Sequence, residues 1–264
     1  MGVRATAAIT ETETTLRLIA GWRQTTLHEL QALERIGSCR MVDPRRETVR
    51  DSYLDTPGRK LRKARFALRI RKTARETLMT LKGPSSRNPD GSRSRLEIEL
   101  PWTAENTVLM FRELQSHDIT LRGDRDSEQL PSRKDLLNDA RLTPFQERVM
   151  IRETRDLVKE IYGPDPFAEM VIDQVAYSPG GVECRHSEME VELKPEADPG
   201  ALEPVTSQFL KQFEGRLVLW LHGKLTIGLA LEKLVGEDLE PGLLDEHNWL
   251  TEAAYERIRE TLKR

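Results

Sequence analysis

Two cysteines in 264 residues, Cys39 and Cys184, are too few for a disulfide framework, and no Cys/His spacing resembles a zinc site. Aromatic residues reach only 5%, which leaves little material for a base-binding pocket. No apolar run approaches the length of a membrane span, and the N-terminus lacks an apolar signal-peptide core. A soluble, cytoplasmic, reduced protein without a membrane partner is therefore expected. There is no GxxxxGK[ST] loop, no HExxH and no Ser/His/Asp order to defend, so no nucleophile stands out and covalent catalysis is disfavoured. The five histidines are scattered, and surface or packing roles are expected for them. A net charge of -3 argues against a protein that coats nucleic acid, so no nucleic-acid partner beyond a nucleotide is expected.

Charge as such is abundant, at 32% of residues, and it is patterned. Glu188, Glu190 and Glu192 alternate with Met189, Val191 and Leu193. A β-strand sends alternate side chains to opposite faces, so the three carboxylates share one face. The same alternation recurs at Glu11 and Glu13, at Arg69 and Arg71, and at Arg93, Arg95, Glu97 and Glu99. Like charges on one strand face repel, and a simple hydrophobic sheet gives no reason to repeat them. A sheet curled into a tunnel, charged inside and apolar outside, accounts for all of them. Such a lumen suits a polyanion and its metal ions.

Strands are predicted near 9–19, 47–54, 65–72, 76–82, 93–100, 147–153, 155–162, 168–177 and 184–194. Asn88-Pro89-Asp90-Gly91 and Ser178-Pro179-Gly180-Gly181 read as turns. Helices are predicted over Thr25 to Ile36, stopped by Gly37, and over 104–117, 202–214, 218–235 and 245–262. The polar stretch 117–146 reads as a crossing segment or a short helix at Leu136 to Ala140. The division expected is a tunnel domain over 1–215 and a helical C-terminal segment over 216–264 packing on it.

The acidic sets Glu11/Glu13 and Glu188/Glu190/Glu192 offer hard oxygen donors of the kind Mg2+ or Mn2+ prefers. Arg69, Arg71, Lys82, Arg93 and Arg95 supply complementary charge, and arginine forks match phosphate oxygens. The plain alternative is a solvated strand face laced with surface ion pairs of little energetic consequence.

Asp55-Thr56-Pro57, then Leu61-Arg62, then Ala67-Leu68-Arg69-Ile70-Arg71 resemble the CYTH family, or triphosphate tunnel metalloenzymes. Thr80-Leu81-Lys82, Arg95-Leu96-Glu97-Ile98-Glu99, Asp173 and Glu188-x-Glu190-x-Glu192 resemble its later strands in the same order. The resemblance implies an α+β fold, an eight-stranded antiparallel β tunnel (barrel) with a charged lumen, flanked by helices. It implies metal-dependent action on a triphosphate or polyphosphate substrate, with Mg2+ or Mn2+ as cofactor. Carried over by motif, Glu11, Glu13, Glu188 and Glu190 bind metal, and Arg69, Arg71, Lys82 and Arg95 grip phosphate. Glu97 and Glu99 are the expected catalytic residues, orienting water or a second metal. Arg152 or Arg155 adds a further phosphate contact.

One position departs from the family's E-x-E-x-K opening, which here reads Glu11-Thr12-Glu13-Thr14-Thr15. Arg17, two residues on and on the same strand face, is the candidate substitute for the missing lysine and a phosphate-binding residue. Lys224, near the end of the chain, either plugs toward a tunnel mouth or belongs to an ordinary amphipathic helix. The leading functional expectation is hydrolysis of inorganic triphosphate or another triphosphate. The alternatives are a non-catalytic polyphosphate or nucleotide binding module, class IV adenylyl cyclase-like activity, and a purely structural barrel. A homodimer is compatible with the sequence.

Overall fold

The computed structural model describes residues 9–121, 132–159, 161, 165–236 and 240–263. Among the described residues there are ten strands, interspersed with helices. The strands are β1 (Ile9–Leu18), β2 (Arg35–Ile36), β3 (Cys39–Asp55), β4 (Ala67–Lys72), β5 (Thr77–Arg87), β6 (Arg93–Pro101), β7 (Thr143–Val158), β8 (Ala168–Tyr177), β9 (Cys184–Leu193) and β10 (Leu217–Leu219). The helices are α1 (Arg23–Ala32), α2 (Lys60–Lys63), α3 (Ala104–Ser116), α4 (Arg133–Asp139), α5 (Leu202–Gln212), α6 (Lys224–Gly236) and α7 (Glu252–Lys263). None of the described helices is long and apolar enough to cross a membrane.

Hydrogen bonding orders eight strands as β1-β6-β5-β4-β3-β7-β8-β9, and β9 pairs in turn with β1. The result is an antiparallel sheet of eight strands in a ring, flanked by helices, as the charge alternation implied. β10 and β2 pair with β1 and β3 outside this order.

By compactness the chain divides into two units. The first comprises Met1–Thr10, Val49–Ser86 and Arg95–Glu147. Its apolar strand face, Leu54, Leu68, Met79 and Leu81, packs on Leu61 of α2, Met110, Phe111 and Leu114 of α3, and Leu136 and Leu137 of α4. Side-chain caps fix where α3 and α4 begin: Thr103 accepts from the Asn106 amide and Ser132 from the Asp135 amide. Helix α4 realises the short helix expected near 136–140, and residues 122–131 of the crossing segment lie outside the described residues.

The second unit comprises Glu11–Thr48, Arg87–Ser94 and Arg148–Arg264. Leu16 and Leu18 of β1, Met170 and Ile172 of β8, and Met189, Val191 and Leu193 of β9 form its apolar strand face. Leu27 and Leu30 of α1 and Leu202, Val205 and Phe209 of α5 cover that face. Burying each such side chain contributes about 1.5–3 kcal/mol, so the apolar half of each alternating strand fixes which way its charged half must point.

Several boundaries differ from expectation. α1 ends at Ala32, because Gly37, at a φ of 53°, turns the chain so that Ile36 pairs back onto Cys39 as β2. β7 is one strand and not two, carried through Glu153, Thr154 and Arg155 by an unbroken register with β8. The helix expected from 218 begins only at Lys224, after β10. The turn at Asn88–Gly91 forms as expected. Gly91 sits at a φ of 84°, and a Cβ there would come within 2.8 Å of Leu219.

Candidate active site

The register of the second unit assembles the acidic strands into rows. Glu13 of β1 faces Glu192 of β9, Thr15 faces Glu190, and Arg17 faces Glu188. Across the other edge of β9, Glu188 faces Asp173 of β8, which faces Arg152 of β7. One lateral row therefore reads Arg17, Glu188, Asp173, Arg152, all sharing the strand face opposite the apolar core.

Two carboxylate groups emerge along this face. Glu11, Glu13 and Glu192 bring ligand oxygens within 4.8 Å of one another, and so do Asp173, Glu188 and Glu190. The four residues expected to share metal are thus divided, with Glu11 and Glu13 in one group and Glu188 and Glu190 in the other. All are buried except Glu192, which is half-buried. Arg93 reaches Glu13 at 2.7 Å.

The second group already holds cations. Lys224, at the start of α6, bonds to Glu190 at 2.8 Å, to Asp173 at 3.0 Å and also to Glu188. Arg152 clasps Asp173 with two bonds of 2.8 and 2.6 Å. His186 lies between Glu188 Oε2, at 2.7 Å, and the hydroxyl of Tyr255 in α7, at 2.9 Å. Burial works against ionising Glu188, but Lys224 and the His186 hydrogen bond outweigh it and hold the carboxyl low, at about 2. Glu190 goes the other way, to about 7: burial comes first, Lys224 opposes it, and Glu13, Glu188 and Asp173 add repulsion. Lys224 and Arg152 bring two positive charges to three buried carboxylates, so the deficit collects on one of them.

Two expected phosphate-binding arginines are committed elsewhere. Arg17, only 2% exposed, is clasped by Glu252 of α7 at 2.7 and 2.8 Å and stacks 4.0 Å from the ring centre of Tyr255. Its guanidinium is thus turned toward α7. Thr15 itself is buried, and its hydroxyl has no hydrogen-bond partner. Arg155 donates to the carbonyls of Leu33, at 2.5 Å, and of Gln31 in the last turn of α1. Continuous strand alternation puts it on the opposite face from Arg152. Of the pair left open by the sequence, Arg152 is the one on the charged face.

The first unit carries the basic strands. Arg69 and Arg71 of β4 converge on a carboxylate that sequence reading passed over, Asp51 of β3. Arg71 binds it at 2.9 and 3.0 Å and Arg69 at 3.3 Å. Asp51 shares a strand face with Tyr53 and Asp55, so alternation was the signal available for it. Arg69 also reaches Glu99 at 3.1 Å, and the Thr80 hydroxyl donates to the same Glu99 oxygen at 2.6 Å. Burial raises the Glu99 carboxyl, but Arg69 and Arg71 prevail and hold it below the usual carboxylate range. Lys82 pairs with Glu97 at 2.7 Å. Arg95 is half-buried two positions before Glu97 on β6. Arg69 with Glu99, Arg71 with Asp51, and Lys82 with Glu97 thus form ion pairs on one strand face.

The Asp55-Thr56-Pro57 motif proves to be architectural. Asp55 Oδ1 accepts from the amides of Thr56, at 2.7 Å, and Leu61, at 3.0 Å, while Oδ2 accepts from Arg62 at 3.1 Å. The carboxylate therefore organises α2 and delivers Leu61 to the core.

Comparison with curated protein sequences yields no match. Solved structures with a similar chain path include HpAC1 of Hippeastrum, described as having a dominant triphosphatase activity. It is 16% identical, with a TM-score of 0.53 over 88% of this chain and 98% of that one. PH1819 of Pyrococcus horikoshii is 20% identical over 84% and 99%, with a TM-score of 0.49. The S. pombe Pct1 RNA triphosphatase is 11% identical over 80% of each chain, with a TM-score of 0.37. At such identities the HpAC1 likeness speaks for the fold alone, and it agrees with the ring of eight strands. The family model for the CYTH domain matches residues 23–215, and the chain accordingly belongs to the CYTH domain family.

Proposed function

We propose that the protein hydrolyses a triphosphate, with inorganic triphosphate as the preferred substrate, using Mg2+ or Mn2+. The observation that carries this reading is the group Glu11, Glu13 and Glu192, three carboxylates with oxygens within 4.8 Å on a strand face of a CYTH family member. An all-oxygen, anionic donor set suits a small hard divalent cation. Bound there, the ion would act as a Lewis acid that neutralises charge developing on phosphoryl oxygens.

The remaining roles fall to the chain's own side chains. Arg69, Arg71, Lys82, Arg95 and Arg152 bind the phosphates. Asp51 holds the forks of Arg69 and Arg71 in place before substrate arrives, which lowers the entropic cost of gripping it. Glu99, kept ionised by its arginines, is a weak base and orients the attacking water by accepting from it. Glu97 does the same beside Lys82.

The test is phosphate release from tripolyphosphate with and without Mg2+ or Mn2+, with ATP and thiamine triphosphate alongside. Metal-dependent release, greatest on tripolyphosphate, is expected, and Glu11→Gln should lower it at least tenfold while the fold is retained. Stabilisation by tripolyphosphate without release would establish a binding module instead, and neither effect would remove the triphosphate assignment.

A further inference from the structure

The Asp173, Glu188 and Glu190 group has the spacing of a cation seat, yet a side chain already fills it. Lys224 touches all three carboxylates and is 7% exposed. No ammonium or guanidinium on β1 does that work. Thr15, opposite Glu190, is uncharged, and Arg17, opposite Glu188, is turned to Glu252. The lysine comes instead from outside the matched family segment, which ends at residue 215.

Its position is built. The Tyr177 hydroxyl donates to the Lys224 carbonyl at 2.9 Å, and Ile227, Ala230, Leu231 and Leu234 bury the helix that follows. Helix α7 is held beside it by the Arg17–Glu252 pair and the His186–Tyr255 hydrogen bond. An ammonium tethered in this way competes with any ion from solution at a high effective concentration.

We infer that Lys224 is a built-in cation occupying the second seat of the acidic face, so that the protein loads one divalent ion per chain and not two. The inference rests on the metal reading above for the ion at Glu11, Glu13 and Glu192. It makes the C-terminal segment a part of the site and gives the uncharged Thr15 a physical explanation.

The experiment is titration with Mn2+ alone, counting bound ions by the loss of the free-ion EPR signal, with thermal unfolding measured in parallel. Wild type is expected to bind one ion. Lys224→Met is expected to bind two, to unfold at lower temperature without metal, and to regain that loss when Mn2+ is added. Combining Lys224→Met with Thr15→Lys, which places an ammonium opposite Glu190, should return the count to one and restore stability without metal. Two ions on wild type, or an unchanged count in Lys224→Met, overturns the inference. If wild type binds none, the metal reading fails, and Lys224 is judged separately: one ion on Lys224→Met supports its role and none refutes it. Should Lys224→Met fail to fold, the double variant decides, because folding recovered through Thr15→Lys supports the built-in cation and continued failure rejects it.

Discussion

Asp51 bridges two guanidinium groups with one buried carboxylate, and its side chain is fully shielded from solvent. Each arginine was taken out of water to stand there, and desolvating an ion costs several kcal/mol unless a partner compensates it. Asp51→Ala removes the shared partner while leaving both cations in place. A loss of about 3–5 kcal/mol in unfolding free energy is expected, read from denaturant titration. A loss under about 1 kcal/mol would mean that Glu99, which also holds Arg69, absorbs both charges. The same logic separates Arg152 from Arg155. The first is on the charged face with Asp173, whereas the second satisfies carbonyls at the end of α1.

At the scale of elements, α2 shows how a four-residue helix persists although isolated helices of that length are unstable. Asp55 satisfies three amides at once, and Leu61 is fully buried against the strands of the first unit. Asp55→Ala strips those amides of their acceptor and is expected to cost about 3 kcal/mol, with hydrogen exchange rising at Leu61 and Arg62. Unchanged protection at those two amides would show that the helix is held by Leu61 alone. Arg59, which precedes α2 in the left-handed conformation at a φ of 55°, is a second point of leverage. Arg59→Gly relieves that strain but loosens the unfolded chain, so a small net change is expected there.

Over the whole molecule, paired carboxylates set the response to acid. Burial raises Asp156, Asp245 and Glu252, but in each case donors and cations outweigh it: Lys194 and Arg45 for Asp156, the Trp249 amide and Arg23 for Asp245, and Arg17 for Glu252. All three therefore lie below their ordinary values of 3.8 for Asp and 4.5 for Glu. A depressed carboxyl binds fewer protons folded than unfolded, so its contribution is full above those values and is lost as pH falls through the depressed ones. Stability should drop below about pH 4 as these pairs are protonated. Glu252→Gln should be less stable than wild type at pH 7, with the gap closing as the pH approaches 3. A gap that stays constant over that range would exclude the Arg17 ion pair as its cause.

Alternation by itself determined which residues share a strand face. Glu11 with Glu13, Arg69 with Arg71, and Glu188 with Glu190 and Glu192 were all legible, because period two is a local property of extended backbone. The ordered motifs added the family and the ring of eight strands. Only tertiary structure decided who faces whom. Strand register is a non-local match, so it split the acidic residues into two groups and matched Thr15 to Glu190. Arg155 was ambiguous for a related reason: reading β7 as two strands loses count of the faces, and only the continuous register with β8 restores it. Lys224 and Glu252 lie far along the chain from the strands whose charges they meet, and nothing in local pattern points a helix terminus at a particular carboxylate. Their partners follow from where α6 and α7 bury their apolar faces, which is settled by packing over the folded unit.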